Sequence, residues 1–230
     1  MATETQTQDP SKGPEHIRQS NVVEKLIRSP LFWVLFLIFG FSYPVYRSIY
    51  RVLPPELPIL ATVPEYELIN ENGQRFGSKD LEGRVYLANF IFTRCPTVCP
   101  KLTKEMEKIQ KRMKGLGQKV AIVTFTVDPK FDNEKVLFDY ARKIHANPYV
   151  WTFLTGSNDK QELFKLYREG FKVPVENDGS ENLMTIAHAE KIVLVDTMNR
   201  IRGYYNYDEN SINKLMIDVG LLINRPPTKE

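Results

Sequence analysis

The sequence predicts an α/β domain with a largely parallel sheet and an N-terminal β-hairpin, preceded by one membrane-spanning helix. An uncharged run at 29–46 (SPLFWVLFLIFGFSYPVY) predicts the helix. Near-continuous apolar runs at 85–92 and 120–127, and a shorter one at 150–154, predict buried strands. Between them apolar residues recur at helical spacing, and strands alternating with helices imply βαβ crossovers covered on both faces.

Taken in order, residues 1–20 (MATETQTQDPSKGPEHIRQS) are polar and short of large apolar groups. Such a composition does not offset the entropy of ordering, and 1–25 reads as a disordered cytoplasmic tail. A spanning helix needs about 20 residues. Leu26 and Ile27 extend the apolar run to a span at 26–46, with Arg28 snorkelling to the interface and Pro44 near the far end, where a break is tolerated. The rival reading is a cleaved signal peptide, but the charged region before the run is long and no small-residue cleavage site follows it. Lys12, Arg18, Lys25 and Arg28 precede the run, whereas only Arg47 and Arg51 follow it before Arg75. That bias places the N-terminus in the cytoplasm and the domain outside the cytoplasmic (inner) membrane, or in the mitochondrial intermembrane space of a eukaryote. Four prolines between 52 and 64 favour extended backbone, so 47–64 reads as a linker.

The domain is expected over 65–224. Residues 66–69 and 74–76 flank Asn72-Gly73, a hairpin signal. After the 85–92 strand, Leu102, Met106, Ile109 and Met113 share one helical face, ended by Gly115 and Gly117. Val136, Leu137, Tyr140 and Ile144 mark a second helix, stopped at Asn147-Pro148. A helix over 160–169, strands at 192–196 and 201–205 forming an antiparallel edge, and a helix over 211–223 complete the domain; 225–230 reads as a frayed tail.

Composition excludes some functions. With 31 basic against 28 acidic residues, the chain lacks the electrostatic footprint of a nucleic-acid binder. No Ser-His-Asp order, phosphate-cradling glycine loop or helical metalloprotease motif occurs.

The two cysteines, Cys95 and Cys99, close too small a loop to staple the fold, so they are placed for chemistry. They lie in FIFTRCPTVCPKLT (90–103), where a strand runs into a helix. Both prolines suit a helix's first turn, which puts the cysteines four apart on one helical face near a dipole end that favours thiolate. Two thiolates suit Cu(I), and an added imidazole also supports Cu(II); zinc competes on ligand count alone. Two buried thiols or an incidental disulfide is the bland alternative. Residues four apart in a helix lie near the bridging limit of roughly 6 Å between α carbons, so a redox pair is open as well. Position favours function, because ligand sites of such folds sit at the C-terminal edge of the parallel strands.

FTRCPTVCP (92–100) resembles the signature of the Sco (SenC) copper chaperones, membrane-anchored proteins of thioredoxin-like fold that help assemble the binuclear copper centre of cytochrome c oxidase. Thr126-Val127-Asp128-Pro129 and Leu154-Thr155-Gly156-Ser157 are similar to further family segments. The resemblance implies a thioredoxin-like fold and one copper, Cu(I) or Cu(II), held by Cys95, Cys99 and His188, the last within MTIAHAEKIVLVD. It implies as partners the copper-bearing oxidase subunit or another copper chaperone, and a metallochaperone rather than an enzyme turning over a small substrate. Ordinary thioredoxin-fold oxidoreductases resemble one another in a cis-proline near this place, and 185–190 contains no proline. A metal-free thiol-disulfide oxidoreductase or redox sensor using Cys95 and Cys99 is the alternative. Thr97, Lys101 and Ala187 stand where relatives often carry Asp, Glu and Asp, which bears on tuning of the metal. His16 and His145 read as solvated or structural. Lys101, Lys104, Lys108 and Lys111 read as a solvated helix face with ordinary Glu105–Lys108 and Glu107–Lys111 pairs.

Overall fold

Proline decides where the first helices divide. In the computed structural model, which describes residues 22–50, 56–95, 98–156, 160–173 and 190–224, α1 (Val22–Arg28) ends one residue before α2 (Pro30–Ile49). Ser29 between them is extended (φ −77°, ψ 121°), the conformation a following proline imposes, and Pro30 opens α2 where a missing N–H is harmless. Residues 22–25, expected within the disordered tail, are therefore helical. The rest of that tail, and the tail at 225–230, lie outside the described residues. The helix α2 is long and apolar enough to cross a membrane. It continues through Pro44 to Ile49, past the expected end at Tyr46.

The chain divides into two units, Met1–Pro55 and Glu56–Glu230. The second is built on β1 (Ala61–Thr62), β2 (Glu67–Asn70), β3 (Arg75–Gly77), β4 (Val85–Ile91), β5 (Val120–Thr126), β6 (Trp151–Thr155), β7 (Ile192–Val195) and β8 (Arg200–Tyr205). Among the described residues these form one sheet in the order β1-β8-β7-β4-β5-β6-β2-β3. Its helices are α3 (Val98–Arg112), α4 (Glu134–Lys143), α5 (Lys160–Lys165) and α6 (Glu209–Asn224).

Only β4, β5 and β6 run parallel. The sheet is thus mixed rather than largely parallel. The hairpin β2–β3 adds to β6 antiparallel, and β7–β8 adds to β4 antiparallel, so both flanks reverse direction around a three-stranded parallel centre. Every position of β4 and β5 is buried, as expected of strands covered on both faces. Their alternating side chains feed two cores. Tyr86, Ala88, Phe90 and Phe125 pack with Leu163, Tyr167 and Phe171. Val85, Leu87, Ile91 and Ile122 pack with Met106 and Ile109 of α3, Leu137 of α4, and Leu215 and Val219 of α6.

The predicted α3 face, Leu102, Met106, Ile109 and Met113, is wholly buried. The Asn72-Gly73 hairpin forms with Gly73 at φ 75°, and Asn70 Oδ1 accepts the N–H groups of Asn72 and Gln74 at 3.0 and 2.9 Å. Two features escaped the sequence reading. Within the expected linker, Leu60 N–H donates to Ile201 O and Val63 N–H to Asn199 O, so β1 seals the β8 edge and Val63 enters the core. A two-residue strand has no period to detect, and the surrounding prolines mask it. The helix expected over 160–169 becomes α5 followed by a π turn (Leu166–Gly170), closed by Phe171 N–H to Leu166 O.

The β7–β8 turn is organised by Asp196, which is fully buried. Its carboxylate accepts the backbone N–H groups of Met198 and Arg200 and pairs with Arg200 Nε at 2.9 Å and Arg202 Nη1 at 3.0 Å. Removing the acid strands the Arg202 guanidinium in the interior. Asp196→Ala is expected to lower the unfolding free energy by about 3–5 kcal/mol, read from the midpoint of urea unfolding.

Candidate metal centre

The site region begins where β4 leaves the sheet. Cys95 N–H donates to Phe92 O at 3.2 Å, closing a turn with Thr93 and Arg94 at its centre. Cys95 is 8% exposed and packs at the margin of the α3-side core. The helix starts only at Val98, so Cys95 precedes it, contrary to the expectation of two cysteines on one helical face. The reason is local: Pro96 disfavours the helical region for the residue before it. Cys99 is the second residue of α3 and Pro100 the third, within the first turn, whose N–H groups lack intrahelical partners and carry the positive end of the dipole.

Of the three expected ligands, the structure thus describes the Cys95 side chain and the backbone of Cys99. The Cys99 side chain and His188 lie outside the described residues, as do Thr97 and Ala187. Among the described residues no group of three His, Cys, Asp or Glu side chains gathers to hold a metal. Lys101, Lys104, Lys108 and Lys111 are exposed along α3, and Lys108 pairs with Glu105 at 2.7 Å. His145 lies just past α4 in a left-handed conformation (φ 53°).

Sequence reasoning missed the groups that hold the Cys95 turn. Asp132, in the loop between β5 and α4, is fully buried. Its carboxylate accepts Thr93 N–H at 3.0 Å, Thr93 Oγ1–H at 2.5 Å and Thr126 Oγ1–H at 2.6 Å. Arg94 reaches the same loop, pairing with Asp128 at 2.6 Å and lying 4.1 Å over the ring of Phe131. From the opposite face Tyr167 Oη–H, within the π turn, donates to Thr126 O at 3.0 Å. Burial raises the Tyr167 pKa far above the ordinary phenol value, so the hydroxyl remains a donor. In the sequence Asp128-Pro129 stands out only within the 126–129 segment that resembles a family segment. Thr93 and Asp132 are 39 residues apart, and no local pattern links them.

Residues 57–220, which contain this whole region, match the family model described as SCO1/SenC. The chain belongs to the SCO1/SenC family. The SCO1 protein homolog of Bacillus subtilis (strain 168) is 32% identical over 154 residues, covering 67% of this chain and 78% of that relative. The structure in which a disulfide switch was identified in BsSco, a member of the Sco family of cytochrome c oxidase assembly proteins, superposes with a TM-score of 0.62 at 29% identity, covering 74% of this chain and 98% of that one. Bradyrhizobium japonicum ScoI with copper bound shares the fold with a TM-score of 0.54 at 23% identity, covering 70% and 98% of the two chains. The thioredoxin-like fold implied by the resemblance is thus the fold of this SCO1/SenC chain.

The burial of Cys95 has a measurable consequence. In the reduced, metal-free Cys99→Ser variant, N-ethylmaleimide is expected to label Cys95 about tenfold more slowly than it labels glutathione at the same pH, with the difference abolished in denaturant. Equal rates in the folded state would contradict the position of this side chain.

Proposed function

We propose that this SCO1/SenC chain is a membrane-anchored copper metallochaperone. In this reading Cys95, Cys99 and His188 bind one copper ion as cargo and pass it by ligand exchange to the copper centre of cytochrome c oxidase. The observation that carries the reading is the position of Cys95, at the C-terminal edge of the parallel strands, immediately ahead of the helix whose first turn contains Cys99. Ligands of folds with parallel strands gather at that edge. The donor set fits the cargo: two thiolates suit Cu(I), and an imidazole extends the site to Cu(II). The copper held by ScoI and the oxidase-assembly role of BsSco's family support the assignment.

The anchor in this reading is α2, with the N-terminus in the cytoplasm and the domain on the far side of the membrane. The partners are the copper-bearing oxidase subunit or another copper chaperone. A second reading, thiol-disulfide exchange by Cys95 and Cys99, is favoured by the disulfide switch identified in BsSco. The two roles are compatible, since an acceptor whose own cysteines are oxidised must be reduced before it takes up metal.

The test is metal loading of the full chain in detergent micelles. One copper per chain is expected, with Cys95→Ser and Cys99→Ser each abolishing binding. His188→Ala is expected to remove the Cu(II) spectrum while weakening Cu(I) by about tenfold or more. Preference for zinc over both copper states sinks the copper reading. An unchanged Cu(II) spectrum in His188→Ala removes the third ligand and leaves the dithiol.

A further inference from the structure

We infer that Asp132 is a positioning residue for Cys95: its buried carboxylate clamps the 92–95 turn to the loop after β5 and thereby sets the dithiol–disulfide equilibrium of Cys95 and Cys99. The inference rests on the reading of these cysteines as a functional pair and adds to it the group that holds one member in place.

Within its own connection Asp132 takes one bond at its carboxylate, from the Thr126 hydroxyl at the end of β5. Its backbone N–H closes the loop onto Asp128 O at 2.9 Å, and α4 is capped by the next residue, Asn133, whose side chain accepts Val136 N–H at 3.0 Å. Two of the three hydrogen bonds to the carboxylate instead come from Thr93, one from its backbone and one from its side chain. Thr93 lies two residues before Cys95, so only two Cα–Cα steps of about 3.8 Å separate the clamp from the thiol-bearing residue. A fully buried carboxylate is costly, and a well-packed apolar side chain would fill the same volume more stably. What an apolar residue does not supply is a fixed pair of acceptors that pins Thr93 by two bonds.

The second stitch between the loops, Arg94 to Asp128, is weaker in kind. The Arg94 side chain is 57% exposed, and an ion pair with so wet a partner is screened by salt and contributes little. Control of the turn therefore falls on Asp132. A disulfide forms only when its two α carbons come within about 4.4–6.8 Å, and its stability follows the effective concentration of one thiol at the other. Releasing Thr93 widens the range of Cys95 and shifts the equilibrium toward the dithiol.

The experiment equilibrates the metal-free full chain, in detergent micelles, with glutathione buffers. In the exchange the protein disulfide and two glutathione thiols give the protein dithiol and one glutathione disulfide; the protein S–S bond breaks, both cysteine sulfurs gain a proton, and two glutathiones are oxidised. Asp132→Ala is expected to lower the constant for disulfide formation about tenfold, a potential shift of about 30 mV for this two-electron couple. Asp132→Asn matches the shape, keeps one acceptor and offers an amide to a reversed Thr93 hydroxyl, so it is expected to stay within about twofold of the parent chain. Should Asp132→Ala fail to fold, Thr93→Val removes one of the two bonds to the turn and is expected to shift the constant the same way by about threefold. Parent-like constants in folded Asp132→Ala or in Thr93→Val overturn the inference, because a merely stabilising residue leaves the potential unmoved. A parent chain that forms no Cys95–Cys99 disulfide at any glutathione ratio overturns the dithiol reading itself, which is a different result.

Discussion

The parallel pairing of β4 with β5 is the contact on which the site region depends. The two strands match residue for residue, from Val85 beside Val120 to Ile91 beside Thr126, with every side chain buried between two helical layers. Because they run in the same direction and end together, the loops that follow emerge side by side. One carries Cys95, the other Asp128 and Asp132. Antiparallel strands in the same positions would send these loops to opposite edges, and the Thr93–Asp132 bonds would have no counterpart.

So apolar a centre still contains paired polar groups. Asn89 of β4 accepts the hydroxyl of Thr124 at 2.7 Å, and Thr124 Oγ1 accepts Trp151 Nε1–H at 2.8 Å, a chain of bonds running across the three parallel strands. Tyr205 donates to the buried Asp218 at 2.6 Å, fastening β8 to α6. Unpaired, each would cost more than a neutral hydrogen bond gains. Paired, they restrict the sheet and its covering helices to one arrangement, as Asp196 does for the β7–β8 turn.

What the sequence makes legible follows from the range of the interactions involved. The α3 stripe from Leu102 to Met113, the Asn72-Gly73 turn and the apolar runs of β4 and β5 are local periodicities, and all are present at their expected places. The antiparallel pairs β2–β3 and β7–β8 are also as expected, whereas the mixed balance of the whole sheet is not legible, because a strand's composition is nearly indifferent to whether its neighbour runs parallel or antiparallel. Helical placement of Cys95 failed for a readable reason, since the Cys95-Pro96 step itself argues against it. Asp132 was beyond reach: its significance lies in Thr93 and Thr126, and only the folded crossover brings the former to it.

That separation along the chain also orders events in time. Thr93 leaves the ribosome 39 residues ahead of Asp132. At about 5–20 residues per second, roughly 2–8 s pass before the clamp exists at all. For most of that interval both cysteines are present on a nascent segment that still lacks α4 and α6 to complete the core around Cys95. The thiols of a newly made chain therefore exist for seconds before the scaffold that buries Cys95 is complete.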